Sequence, residues 1–176
     1  DFDPAKFFNY TDNRNDYASD AIFANFRPVE CSKGKIYRSA SPCDNNYGRA
    51  TYVDKLCREY GIKSVIDLAD NADEVKAFFE NEELDSPYCR ELYKNGKVKA
   101  IGINTSEYRE LFHKGMAEAL KCIPEAEKPL LIHCKEGKDR TGAAVAVLEA
   151  LCGADAEMIE KDFMESYRTY FKVTKT

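Results

Sequence analysis

The chain has 176 residues, of which 44% are hydrophobic and 32% charged, with a formal net charge of −5. That length suits a single domain with a substantial core, and the acidic balance offers no general basic field for nucleic acid or an anionic membrane. No apolar run approaches the ~20 residues of a membrane span and no signal peptide is evident, so the expectation is a soluble monomer, cytoplasmic or exported after loss of an N-terminal segment.

Residues 1–34 are polar and aromatic without a sustained period. Residues 1–24 are assigned to an N-terminal arm and 25–176 to the domain, with Phe7, Phe8, Phe23 and Phe26 packing the arm down. Lys35-Ile36-Tyr37-Arg38-Ser39 reads as a first strand, with Arg38 at its end as a structural cap or pairing residue. Ser41-Pro42-Cys43-Asp44-Asn45-Asn46 is a turn cluster. Tyr52, Leu56 and Tyr60 then follow at helical spacing until Gly61 stops the helix. Residues 62–69 form a strand, and Asp70-Asn71 caps an acidic helix from Ala72 to about Leu84. Ser86-Pro87 breaks the chain, Asn95-Gly96 turns it, and residues 97–103 make another strand. Tyr108, Leu111, Phe112, Met116, Ala119, Leu120 and Ile123 recur at three and four, which gives a helix with one buried face. Pro124 and Pro129 bracket the link into an apolar strand ending at Ile132. A buried helix over 143–151, a break at Gly153 and a last helix ending near Phe171 complete the chain. Strands and helices alternate, so the fold is α/β: a central, mostly parallel sheet of four to five strands flanked by helices.

The chemistry concentrates in His133-Cys134-Lys135-Glu136-Gly137-Lys138-Asp139-Arg140-Thr141-Gly142, between a buried strand and a buried helix. A strand, a short loop and a helix N-terminus turn backbone N–H groups and a positive dipole end toward one concavity, which suits an anion. A cysteine opening such a loop has its thiolate favoured, from an ordinary value of ~8.5 toward roughly 3.5–7.5 in amide-rich, cationic settings. Arg140 adds a planar fork that can grip two oxygens of a tetrahedral dianion. Nucleophile, cradle and fork together suit phosphoryl transfer through a cysteinyl-phosphate. A lone apolar cysteine is usually a small buried hydrophobe. A nucleotide-binding P-loop fails here because no glycine stands at 132 and Asp139 replaces the required Ser/Thr. A sulfurtransferase also uses a loop cysteine, and the Lys138-Asp139-Arg140 run argues against it. Seven cysteines form no C-x-x-C pair and only two histidines exist, which argues against a disulfide framework, a metal site or another cofactor.

The pattern H-C-x5-R-[ST] resembles the signature loop of the protein tyrosine phosphatase superfamily, and this version, HCKEGKDRTG, resembles bacterial tyrosine and dual-specificity phosphatases, some of which also hydrolyse phosphoinositides. The resemblance extends over most of 25–171 and implies a phosphatase-like fold, with Cys134 as nucleophile and Arg140 as phosphate clamp. It further implies that Lys135, Glu136, Gly137 and Lys138 line the substrate, that Thr141 hydrogen-bonds the departing thiolate, and that His133 supports the loop from below. The substrate would be a phosphotyrosine protein, with phosphoserine or phosphothreonine as an extension. Lys135 and Lys138 also resemble the paired lysines of phosphoinositide and inositol pyrophosphate phosphatases, which keeps a phosphoinositide or inositol polyphosphate open as the alternative. A catalytically silent phosphate-binding domain usually lacks the cysteine or the arginine, and both are present. The general acid departs from the common pattern: where many relatives carry an aspartate about thirty residues before the cysteine, this chain has Asn104. Asp139, inside the loop, is then the first candidate, Asp70 the second and Glu107 the third.

Overall fold

The computed structural model of the protein describes residues 11–104 and 109–171. A short edge strand, Arg27–Pro28 (β1), runs antiparallel to Ile36–Ser39 (β2). Ser64–Asp67 (β3), Val98–Ala100 (β4) and Leu130–His133 (β5) complete a sheet in the order β1-β2-β5-β3-β4, parallel everywhere except at β1. Every residue of β2, β3 and β5 is buried, because parallel central strands carry helices on both faces. Their side chains alternate between two cores. Tyr37, Val65 and Leu131 face one, while Ile36, Ile66, Leu130 and Ile132 face the other.

Seven α-helices are described: Asp20–Phe23 (α1), Ala50–Glu59 (α2), Ala72–Glu80 (α3), Pro87–Lys94 (α4), Arg109–Glu125 (α5), Asp139–Leu151 (α6) and Ala156–Phe171 (α7). Val53, Leu56, Val75 and Phe79 close the first core from α2 and α3; Met116, Ala119, Ala144 and Val145 close the second from α5 and α6. The fold class expected from the sequence is the one observed. Phe23 and Phe26 are buried as expected, whereas Phe7 and Phe8 lie outside the described residues.

Four boundaries differ from the sequence reading. The acidic helix starts at Ala72, held by an Asn71–Glu74 capping box, but stops at Glu80. Arg90 takes the carbonyls of Phe79, Asn81 and Leu84 and draws the following residues into a loop. Helix α4 stands where Ser86-Pro87 reads as a break. The proline occupies the first helical turn, where it is tolerated, and the cap comes from a distant residue: Asp54 of α2 accepts the Cys89 amide at 2.7 Å. Pro124 lies inside the last turn of α5 instead of after it. Helix α6 begins at Asp139, four residues before the expected Ala143, which places Asp139, Arg140 and Thr141 in its first turn.

The register aligns Ser39, His133 and Asp67 in one row, with Ala100 beside Asp67. The segments leaving β2, β3, β4 and β5 therefore emerge together at the carboxyl edge of the sheet, where open α/β sheets bind ligands.

Candidate active site

Residues 134–138 form the loop between β5 and α6. Three successive carbonyls, those of Lys135, Glu136 and Gly137, are engaged from outside the loop. The Ser41 amide donates to the Lys135 carbonyl at 3.0 Å. Tyr170 Oη donates to the Glu136 carbonyl at 2.7 Å, and Arg38 Nη2 donates to the Gly137 carbonyl at 2.8 Å. Asn25 Nδ2 bridges both of the last two carbonyls at 3.1 Å. In a trans peptide the N–H points opposite to its C=O, so these four donors turn the amides of Glu136, Gly137 and Lys138 inward, toward the loop's own concavity.

Gly137 makes this packing possible. Its φ is +71°, and an added Cβ would lie 2.2 Å from the Ser39 carbonyl oxygen. Gly142, on the first turn of α6, has the Phe163 ring where a Cβ would stand, at 2.8 Å. Arg38 is fully buried and ion-paired with Asp162 of α7, and burial lowers its guanidinium to about 10. It is structural, as expected, and what it supports is the loop.

The expected nucleophile and clamp sit on this frame. Cys134 is 3% exposed, at the end of β5. Arg140 Nη1 donates to the Ile103 carbonyl at 2.8 Å and approaches the Ala69 carbonyl at 3.4 Å, so the ends of the β3 and β4 segments fix its direction. His133 is fully buried, with Nδ1 3.2 Å from the Cys134 carbonyl, and burial lowers it to about 4, leaving a neutral ring. Thr141 is also fully buried, and its Oγ1 has no hydrogen-bond partner among the described residues.

The candidate acids are prepared in opposite ways. Asp139 is exposed at the loop rim, accepts a hydrogen bond from Tyr167 Oη at 2.8 Å and lies 3.7 Å from Lys138 Nζ. Asp70 is 2% exposed, with Oδ2 unpartnered among the described residues; burial, reinforced by Asp67, raises it to about 6 against the pull of the Lys135 ammonium. Asn104 is described and exposed, while Glu107 lies outside the described residues.

Neither loop lysine projects as an unpaired cation. Lys138 Nζ lies 3.1 Å from Glu136 and 4.7 Å from the centre of the Phe171 ring, within an aromatic cage completed by Tyr167 and Tyr170. Lys135 Nζ lies 3.3 Å from Asp44 and 3.8 Å from Asp70. The sequence reading missed the outer ring of Asn25, Ser41, Ser166 and Tyr170, and it missed Asp44. Asn25 alone carries a local mark, a left-handed φ of +50° of the kind asparagine tolerates.

Among the described residues, Cys43, Asp67 and Asp70 have ligand atoms within 4.8 Å of one another. Burial raises the Cys43 thiol well above its ordinary value and Asp67 to about 7, so protons compete with any cation there. Asp67 Oδ1 also already accepts the Ala69 and Asp70 amides, at 2.8 and 3.1 Å.

A family model described as "Tyrosine phosphatase family" matches residues 27–175. The chain belongs to the tyrosine phosphatase family. It is 33% identical over 94 residues to the inositol diphosphatase DSP2 of Arabidopsis thaliana, covering 44% of this chain and 35% of that protein. It is 38% identical over 66 residues to the triple specificity protein phosphatase PtpB of Mycobacterium tuberculosis, covering 35% of this chain and 24% of that one. The chain thus matches about a third or less of the length of these curated relatives. Among solved structures, P. aeruginosa TpbA in complex with pTyr superposes with a TM-score of 0.52 at 18% identity, over 81% of this chain and 79% of that one. The catalytic core of the PP-IP phosphatase Siw14 of S. cerevisiae gives 0.50 at 22%, over 86% and 79%. These two likenesses are likenesses of fold.

Proposed function

We propose that the chain hydrolyses phosphate monoesters, phosphotyrosine in proteins above all, through a cysteinyl-phosphate on Cys134. The observation that carries this reading is the outward anchoring of three successive loop carbonyls, which leaves three amides and the Arg140 fork to receive a phosphate beside a buried thiol. The Cys134 thiolate attacks phosphorus, the bond to the leaving oxygen breaks, and that oxygen takes a proton from a carboxylic acid. Water then attacks phosphorus, gives its proton to the carboxylate, and the S–P bond breaks to restore the thiolate.

Asp139 is the acid in this proposal, as the resemblance of the loop implies. A second reading, with Asp70, is favoured by one observation: its buried, unpartnered Oδ2 retains a proton up to about pH 6. Phosphotyrosine is preferred to a polyphosphorylated inositol because Lys135 and Lys138 both meet carboxylates. The test is a panel of phosphotyrosine, phosphoserine and phosphothreonine peptides and phosphoinositides, run on wild type and on Cys134→Ser. Phosphotyrosine turnover abolished by Cys134→Ser is expected. Activity within tenfold of wild type in that variant would sink the covalent mechanism.

A further inference from the structure

The turn after β2 holds Lys135 at two points. Its Ser41 amide takes the Lys135 carbonyl at 3.0 Å, and its Asp44 carboxylate takes Lys135 Nζ at 3.3 Å. Asp44 has little freedom: it is 2% exposed, its amide donates to Ser41 Oγ at 2.9 Å, and its Oδ1 accepts the Asn46 amide at 3.0 Å. Among the described residues Oδ2 has no hydrogen-bond partner beyond this ion pair and is left to face the lysine. The Lys135 side chain is nonetheless 41% exposed, so it lies at the mouth of the loop and not in the core.

Carboxylates outnumber cations around that ammonium. Asp44 faces it from the turn after β2 and Asp70 from the segment after β3. Asp67 and His133 stand behind them, Cys43 lies beside Asp67, and Arg140 of α6 acts on the ammonium as a like charge. Burial works against the charge on Lys135, but Asp44 and Asp70 outweigh it. Lys138, the second lysine of the loop, is caged by aromatic rings and faces Glu136 and Asp139. A monoester of an uncharged group needs only the amides and the arginine fork. A ligand carrying several phosphates needs further cations with no other partner.

We propose that Asp44 is a specificity-determining residue that withholds Lys135 from the substrate, so that the pocket takes phosphate monoesters of uncharged groups and discriminates against polyphosphorylated ligands. The inference rests on the phosphatase reading and adds to it the origin of substrate choice. Asp44 acts through Lys135 and touches no reacting atom, which makes it a positioning residue.

The experiment measures inhibition of p-nitrophenyl phosphate hydrolysis by inorganic phosphate and by inositol hexakisphosphate, in wild type, Asp44→Asn, Asp44→Glu, Lys135→Gln and the Asp44→Asn/Lys135→Gln double variant. The readout is the ratio of the two inhibition constants, which cancels any change in the amount of folded enzyme. Asp44→Asn is expected to tighten inositol hexakisphosphate relative to inorganic phosphate by ~10-fold or more, and added salt to erode the gain. Asp44→Glu should keep the wild-type ratio, and the double variant should lose the gain. An unchanged or reversed ratio in Asp44→Asn overturns the proposal, as does a gain that survives the loss of Lys135. Should Asp44→Asn fail to fold, Lys135→Gln alone decides: a ratio within about threefold of wild type is expected of an ammonium already held by Asp44, and a tenfold loss of inositol hexakisphosphate affinity overturns it. A wild type without turnover of p-nitrophenyl phosphate would instead defeat the phosphatase reading, a separate result.

Discussion

Replacing Gly137 by alanine isolates how tightly the loop is fitted to the sheet. The new Cβ would stand 2.2 Å from the Ser39 carbonyl oxygen, 2.4 Å from its carbon and 2.8 Å from the Ala40 nitrogen, all backbone atoms that cannot swing aside. Gly48 is the natural control, because its φ of +66° is nearly that of Gly137 at +71° yet an added Cβ meets nothing within 4 Å. The left-handed backbone alone costs about 1–2 kcal/mol in a residue with a Cβ. Overpacking against fixed atoms adds about 1–3 kcal/mol. At roughly 3 °C per kcal/mol for a domain of this size, Gly48→Ala should melt about 3–6 °C below wild type and Gly137→Ala about 6–15 °C below. Relief of the clash must move the Gly137 carbonyl from Arg38 and Asn25, so the amide cradle should open and aryl phosphate turnover fall by at least about 100-fold, as when a preorganised donor is lost. Thermal denaturation and steady-state kinetics on the two variants read both effects. Equal melting temperatures for the two, with Gly137→Ala keeping a third or more of wild-type turnover, would refute the anchored-loop account.

Arg140→Lys should cost several hundred-fold in kcat/KM, because an ammonium cannot keep the Ile103 carbonyl and still present a two-pronged fork; near-normal turnover would remove the clamp role. Asp139→Asn should slow a phenyl or alkyl phosphate by about 10²–10⁴-fold while sparing a substrate whose leaving group needs no proton, and an equal loss on both would pass the test to Asp70→Asn. Burial holds Glu149, fully enclosed on α6, at about 7 instead of 4.5, with Asp162 and Glu30 adding to the rise and Arg38 and Arg27 opposing it. Its folded value lies above its unfolded one, so the stability linked to its proton is full below pH 4.5 and lost as the pH rises through 7. Glu149→Gln should therefore melt close to wild type at pH 4.5 and several degrees above it at pH 8; a variant less stable than wild type at pH 8 would reverse the sign.

The strand, helix and turn punctuation of this chain is written locally, and so was most of its fold. The capping box at Asn71 and Glu74 fixes the start of α3 within four residues of sequence. Helix α4 escaped because its cap, Asp54, is 35 positions from the amide it accepts. The candidate site divides along the same line. Cys134, Arg140 and the glycines stand in one contiguous motif, and the register of β2, β3 and β5 brings the expected Asp70 beside them. What holds the motif in shape is Asn25, Arg38, Ser41 and Tyr170, which reach it from 34 to 112 positions away in the chain. The lysines show the limit most plainly, since their spacing suggests substrate contacts while Asp44 and Glu136 claim the ammonium groups.

The ring of donors around the loop also has a direction in time. The Gly137 carbonyl is held from residues 99 and 112 positions earlier in the chain, and the Glu136 carbonyl from Tyr170, 34 positions later. A ribosome delivers Cys134 well before Tyr170, and contacts of such separation form late. During synthesis the nascent chain carries its cysteine through a period when the Glu136 carbonyl still lacks the Tyr170 donor. Arrival and docking of α7 adds the Tyr170 donor, so the loop that follows Cys134 takes its final shape only once the domain around it has closed.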